Sequence, residues 1–239
     1  MINKILNSKV YQVFDFICRL LVLNVLIILC SFSIFIVVTT IWDNLPNWAM
    51  LLLLIPTALT LVPCIVAATD VIKSYLVDKN TGLFKDFFRA FKKYYFKSVL
   101  LSIIVVVAAI LLLNSYSYFD SYKLSAPIYM IGYILTLSFS VIFIFAFIHV
   151  PLNMIYFNDL NIIQYIKLAL IFGFKDLGKS LILLVIAILS IVISYFIQIY
   201  LLLFSFSLVI FFVVLLTKKS YLKVVNKLDN EGEKNEKNN

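Results

Sequence analysis

The chain has 239 residues, of which 64% are hydrophobic and only 13% charged, and its mean hydropathy is +1.07. Soluble domains carry roughly 45–50% apolar and roughly 25% charged residues, so this composition excludes a water-soluble fold. The net charge of +8 comes from basic residues scattered between apolar runs, a pattern that orients membrane proteins and does not indicate a nucleic-acid partner. We predict an all-α, polytopic integral membrane helical bundle.

Apolar runs of about 20 residues, the length that crosses the hydrocarbon core, recur along the chain. The last charge-free run, residues 181–216, would reach about 54 Å as one helix, against a core of about 30 Å. We therefore place a turn near Gln198 to Leu202, although no Gly or Pro marks it. The result is one transmembrane domain, residues 1–217, with six predicted spans: residues 20–41, 49–69, 98–116, 128–150, 181–198 and 200–216.

Basic residues fall on one side of these six spans. The N-terminal segment, residues 72–97, residues 157–179 and the tail after Leu216 hold 19 of the 20 Lys and Arg residues, and the opposite side receives only Lys123. The positive-inside rule predicts this asymmetry. We expect a multi-pass protein of a bacterial cytoplasmic membrane with both termini in the cytoplasm. Residues 218–239 are polar and mixed in charge, and we expect them to be disordered.

The stretch FKDFFRAFKKYYF, residues 84–96, interrupts the apolar sequence with rings and cations. On a helix its rings share one face and its cations lie on the other. We predict an interfacial helix over residues 82–97 that lies flat in the headgroup region, rings toward acyl chains and cations toward anionic lipid. Docking of a partner is the alternative reading, and a second surface helix is expected at residues 161–172. The predicted anchoring residues are Phe84, Phe87, Phe88, Arg89, Phe91, Lys92, Lys93 and Tyr95.

Few polar groups lie within the predicted spans, where such groups are costly and often functional. The candidates are Asn24, Asp70, His149 and Asn153. The sequence contains no GxSxG, HExxH or P-loop pattern, and its three cysteines show no CxxC spacing. We therefore expect no catalysis, no cofactor and no metal site. We expect His149 to be a satisfied interfacial residue, Asp70 to face headgroups or pair with Lys73, and Asn24 to hydrogen-bond a neighbouring span.

Two segments of the chain have similar sequence patterns. VPCIVAATD, residues 62–70, precedes the amphipathic stretch and KSVLL from Lys97; VPLNMIYFND, residues 150–159, precedes IIQYIKLALIF and KSLIL from Lys179. Both describe a Pro-bearing helix, a surface helix and a return span in the same orientation. They suggest a parallel repeat, the alternative being convergence of two unrelated units of this kind.

Three segments carry a resemblance to the YesL-like family of bacterial membrane proteins, whose molecular function is not established. LNVLIILCS resembles the family's Leu-Asn start of the first span, and AATDVIKSYLVDKN its Ala-rich exit into a basic loop. GLFKDFFRAFKKYYFKSVLL is similar to its Phe- and Lys-rich approach to the third span. The chain departs from the family at SIFIVVTTIWDN, where a Gly-bearing turn is usual. Because family members are often encoded near carbohydrate-uptake genes, the resemblance implies an accessory role in sugar uptake.

These observations favour a non-catalytic accessory or scaffold component. Its expected partners are the lipid bilayer and other membrane proteins such as a sugar transporter. The first alternative is a small-molecule permease that uses helices kinked at Pro56, Pro63 and Pro151. The second is an immunity or stress protein against membrane-active peptides.

Overall fold

A computed structural model describes residues 9–30, 47–78, 82–122, 126–157, 159–197, 200 and 204–237. These ranges contain seven helices and no strand, so the predicted all-α fold is confirmed. In chain order the helices are α1 Lys9–Cys30, α2 Asn47–Asp78, α3 Leu83–Tyr122, α4 Pro127–Tyr156, α5 Ile162–Lys175, α6 Leu177–Phe196 and α7 Ser205–Lys237.

Five helices in the described part of the chain are long and apolar enough to cross a membrane: α1, α2, α3, α4 and α6. The sequence predicted six spans, which is one too many. The difference is α7, because its apolar segment ends before Lys218. Residues 205–216 cover about 18 Å as a helix, against a core of about 30 Å, and residues 201–203 of the predicted span lie outside the described residues.

The charge-free run of residues 181–216 is divided between α6 and α7, as its length predicted. α6 ends at Phe196 and α7 begins at Ser205. Between them, the backbone N–H of Tyr200 donates to the carbonyl of Ile197 at 2.9 Å, and the N–H of Phe204 donates to the carbonyl of Tyr200 at 2.9 Å. The turn predicted at Gln198 to Leu202 lies largely outside the described residues and stays a prediction.

The amphipathic stretch does not form a separate surface helix. Residues 83–122 form one unbroken helix of 40 residues, so the predicted boundary between an interfacial helix at 82–97 and a span at 98–116 is wrong. No Gly or Pro lies between Phe96 and Ser98 to end the first helix, and the backbone continues without a turn. The second predicted surface helix is present as α5, which a turn at Asp176 separates from α6.

Both ends of the chain depart from the prediction. α1 begins at Lys9 and not at residue 20, while residues 31–41 of the predicted first span lie outside the described residues. α7 runs to Lys237, although residues 218–239 were predicted to be disordered. The reason for the longer α7 is that Tyr221 is fully buried, so packing holds the helix beyond its apolar segment.

The chain divides into two compact units. Unit 1 comprises Met1–Val106 and Ile186–Phe211, and unit 2 comprises Val107–Val185 and Phe212–Asn239. Within unit 1, α1 packs against α2; within unit 2, α4 packs against α5. Fully buried apolar side chains form the core of each. Those of unit 1 include Leu23, Ile27, Val62 and Val66, and those of unit 2 include Leu152, Met154, Phe172 and Leu183.

Candidate functional site

A buried polar cluster in unit 2 joins side chains from four helices. α4 supplies His149 and Asn153, α5 supplies Tyr165, α6 supplies Ser180 and α7 supplies Tyr221. None of the five is more than 1% exposed. His149 and Asn153 were predicted as intramembrane polar residues; both are buried and hydrogen-bonded, and the interfacial depth expected of His149 stays a prediction. The other three were missed.

Hydrogen bonds link the members of this cluster to one another. Tyr221 Oη donates to Asn153 Oδ1 at 2.8 Å, and Asn153 Nδ2 donates to the Tyr165 carbonyl at 3.3 Å. Because the phenol proton is committed, Tyr221 Oη accepts from His149 Nδ1–H across 3.2 Å. Ser180 Oγ lies 3.1 Å from His149 Nε2 and 3.2 Å from the Gly173 carbonyl, and its single hydroxyl proton is shared between these two acceptors. A neutral imidazole therefore satisfies both neighbours.

Aromatic stacking fixes Tyr221 in place. Its ring lies 4.1 Å from that of Phe172 at an interplanar angle of 13°, and 5.0 Å from that of Tyr156. Burial raises the pKa of the Tyr221 phenol well above its ordinary value. The phenol therefore stays protonated at physiological pH and remains a donor. Tyr165 Oη donates to the Phe157 carbonyl at 2.7 Å, which ties α5 to the end of α4.

Local sequence explains why α4 and α5 meet at this cluster. His149 and Asn153 are four residues apart and so share one face of α4. Pro151, which has no backbone N–H, lies between them within the helix. On α5, Gly173 has no side chain, and a Cβ there would lie 3.4 Å from the backbone of Phe145 on α4. The two helices are therefore in direct contact at this point, at the edge of ordinary van der Waals distance.

The contact between Ser180 and His149 has the spacing of a nucleophile and its base. Both residues are 0% exposed, and Ser180 Oγ also lies 3.2 Å from the Gly173 carbonyl. The hydroxyl is closed to solvent in this structure, and its contacts link α5, α4 and α6. Among the described residues, no group of three or more His, Cys, Asp and Glu is placed to hold a metal ion.

A charged rim lies beside the cluster in unit 2. Lys179 Nζ is 3.4 Å from Asp176 Oδ1 and donates to Ser220 Oγ. Lys179 and Ser220 each precede a cluster member, Ser180 on α6 and Tyr221 on α7. The rim therefore adds a second polar link between these two helices.

In unit 1, Asn24 caps the start of α7. Its side chain is 0% exposed, and Oδ1 accepts the backbone N–H groups of Phe206 at 2.9 Å and Ser207 at 3.1 Å. The first N–H groups of a helix lack intrahelical partners, and hydrocarbon supplies none. Asn24 was predicted to hydrogen-bond a neighbouring span; its partner is the backbone of α7, which is not among the five candidate spans.

Two further polar groups lie near the ends of α1 and α2. Arg19 Nε donates to Asp15 Oδ2 at 2.7 Å, and the guanidinium lies 4.9 Å from the centre of the Tyr75 ring. Tyr75 Oη donates to the same carboxylate oxygen at 3.4 Å. Asp70 is half-buried, and its predicted pairing with Lys73 or exposure to headgroups stays a prediction.

The predicted anchoring residues of α3 lie on different faces of the helix. Phe87 is fully buried, whereas Phe84 is 59% exposed and Phe88 is 53% exposed. The buried stripe of α3 continues through Ala90 and Tyr94. The single aromatic face expected from the sequence is therefore split, and the anchoring role stays a prediction. Of the remaining predicted residues, Arg89, Lys92 and Lys93 are exposed, and Phe91 and Tyr95 are half-buried.

The all-helical fold and its five apolar helices indicate a multi-pass membrane protein. Residues 20–116 match the model of a family described as "Protein of unknown function, DUF624". The YesL-like resemblance is consistent with this match, which covers less than half of the chain and ends before the cluster of unit 2. No curated protein matches the chain, and no solved structure does.

Proposed function

We propose that this protein is a non-catalytic accessory or scaffold component of a bacterial cytoplasmic membrane. It associates with other membrane proteins, and the YesL-like resemblance implies a carbohydrate transporter as the partner. The observation that carries the proposal is the use of the buried polar groups. His149, Asn153 and Tyr221 are consumed by hydrogen bonds to one another and to backbone, which is the role of a packing network and not of a substrate site.

One cavity in the described part of unit 1 is too small to hold a substrate. A cavity of about 10 Å³, lined chiefly by apolar residues such as Leu20, Leu23 and Val71, lies between α1, α2 and the start of α3. Such a volume is at the lower limit for a single water molecule, roughly 10–15 Å³. Small-molecule sites occupy roughly 300–1,000 Å³.

A permease is the second candidate, and one observation favours it. Pro151 interrupts the backbone donors of α4 between His149 and Asn153, and broken helices beside polar groups are where transporters bind substrate. In that case the cluster would open during transport, with Tyr221 leaving Asn153.

Purification distinguishes the two candidates. The native chain is extracted in a mild detergent, its complexes are identified by native mass spectrometry, and the chain alone is reconstituted in liposomes for uptake of radiolabelled mono- and disaccharides. We expect a defined complex with another membrane protein and no uptake by the isolated chain. A partner-free species that accumulates sugar would overturn the accessory role in favour of the permease.

The proposed orientation has a separate test. In a cysteine-free background, single cysteines at Ser121 and Asn226, both exposed, are treated in intact cells with a membrane-impermeant maleimide. We expect labelling at position 121 only, because positive-inside placement puts the tail in the cytoplasm. After five crossing helices, this orientation requires α7, with the apolar residues that precede it, to return the chain to the cytoplasmic side. Labelling at position 226 would contradict it.

A further inference from the structure

α3 is longer than the bilayer is thick. Its 40 residues extend about 60 Å, whereas the bilayer measures about 30 Å across its core and about 40–45 Å with headgroups. Residues 98–119 carry no charge and suit the core. The residues that precede them include Lys85, Arg89 and Lys97, whose charges exclude them from hydrocarbon.

The first turns of α3 extend past the headgroups. At about 1.5 Å per residue, Phe84 and Phe88 lie about 20 Å and about 13 Å from Lys97 along the helix. A headgroup layer is about 5–8 Å deep on each side. Even a tilt of about 40°, the upper end for membrane helices, leaves the two rings about 15 Å and about 10 Å beyond Lys97. Lipid therefore does not cover them.

Both rings are nevertheless exposed at the surface of the protein. Phe84 is 59% exposed and Phe88 is 53% exposed, and they lie one helical turn apart on the same face. Lys85, Arg89 and Lys92, all exposed, flank them. We name these five residues the α3 docking face. Paired apolar rings rimmed by charge mark a protein interaction site, unlike apolar residues scattered singly.

The positive charge of the α3 docking face indicates which kind of partner it binds. Its three cations are opposed by Asp86 alone on this part of the helix, 3.2 Å from Arg89. A second copy of the chain would present the same cations to this face, and like charges in a two-fold contact repel. A complementary surface is acidic, with an apolar groove for the two rings.

We propose that the α3 docking face binds an acidic segment with an apolar groove on the cytoplasmic side of a membrane-protein partner. The rings of Phe84 and Phe88 enter the groove, and Lys85, Arg89 and Lys92 pair with carboxylates at its rim. The inference rests on the proposed function and names the surface and the chemistry through which the accessory protein holds its partner.

Spin labelling tests the position of the face. A nitroxide is placed at residue 84, 88 or, as a lipid-facing control, at Val107, which is 51% exposed within the charge-free run. The protein is studied in nanodiscs of phosphatidylcholine and phosphatidylglycerol. We expect labels at 84 and 88 to collide with a water-soluble nickel chelate and the label at 107 with oxygen. Oxygen-dominated relaxation at 84 and 88 would place the rings in lipid and overturn the proposal.

Photo-crosslinking in cells tests the occupant. Benzoylphenylalanine replaces Phe84, Phe88 or the matched control Phe174 on α5, which is 53% exposed. We expect adducts from 84 and 88, but not from 174, that map by mass spectrometry to a segment rich in Asp and Glu. The charge reversals Lys85→Glu and Arg89→Glu together should reduce the adduct about tenfold. Phospholipid adducts alone, or a yield unchanged by the reversal, refute the proposal.

Matched variants separate this inference from the proposed function. Lys219→Glu with Lys223→Glu, two exposed cations at the same spacing on α7, should leave the adduct unchanged. Phe84→Ser with Phe88→Ser should release the partner that co-purifies with the native chain. A complex that survives this change overturns the docking face and leaves the accessory role standing. A native chain without any complex overturns both.

Discussion

The Tyr221 hydroxyl lies 3.2 Å from His149 Nδ1, although 72 residues separate the two in sequence. Tyr221 belongs to α7, which is not among the five described helices that are long and apolar enough to cross a membrane. The helix is nevertheless buried at this point by hydrogen bonds and ring stacking. The stability of unit 2 should therefore depend on a single phenolic oxygen.

Tyr221→Phe tests that dependence. The change keeps the ring and removes the donor to Asn153, leaving buried polar atoms without their partner at a cost of about 1–3 kcal/mol. We expect a lower midpoint in thermal unfolding of the purified protein, followed by a thiol-reactive dye at Cys64, which is buried. Tyr195→Phe is the control, because Tyr195 is 69% exposed. Equal midpoints for the two variants would show that the cluster adds nothing.

Asn24→Leu should loosen the start of α7. The N–H groups of Phe206 and Ser207 lose their acceptor, and losing a helix cap costs about 0.5–2 kcal/mol. Hydrogen exchange of residues 205–210 should accelerate, with little change in α4. Asn114→Leu provides the control, since Asn114 is exposed on α3. Unchanged exchange at these residues would contradict the cap.

Gly132→Ala should disturb the contact between α3 and α4 within unit 2. A Cβ at this position would lie 2.4 Å from the Phe119 ring, so the ring must move, and overpacking costs about 1–3 kcal/mol. Gly178→Ala is the control, because nothing lies within 4 Å of a Cβ at that position. Alanine in a helix is more stable than glycine by about 1 kcal/mol. Thermal midpoints should fall for the first variant and hold or rise for the second.

Ser180 should not react as a nucleophile. A fluorophosphonate probe labels serines activated by a neighbouring base, but this hydroxyl is 0% exposed. We expect the native protein in nanodiscs and the Ser180→Ala variant to show the same background labelling. Labelling that the substitution abolishes would reveal an accessible Ser–His pair and contradict a non-catalytic role.

Composition and length predicted the membrane class and the division of residues 181–216. These predictions depend on bilayer thickness, which acts on any apolar run regardless of its neighbours. The continuity of α3 was not predictable in the same way. Helical periodicity shows that residues 84–96 are helical and says nothing about whether the helix turns before Ser98. Only a Gly or Pro would have indicated a turn there.

The candidate site was only half predictable. His149 and Asn153 were found because polar residues within apolar spans are conspicuous. Tyr221 was missed because it lies in a segment with the composition of a disordered tail. Its burial depends on contacts with Phe172 and Asn153, which no local pattern contains. Ser180 carried one signal, since it occupies the same place in KSLIL as the buried Ser98 does in KSVLL.

The cap at Asn24 has a consequence for biogenesis. The side-chain amide of Asn24 leaves the ribosome 182 residues before Phe206, whose backbone N–H donates to it in the folded protein. At about 5–20 residues per second, the nascent chain spends roughly 10–40 seconds with this acceptor and its later donors apart. Throughout that interval the carboxamide oxygen lacks the two backbone donors that it accepts in the folded protein. Maturation of the N-terminal half is therefore completed only by the arrival of the C-terminal helix.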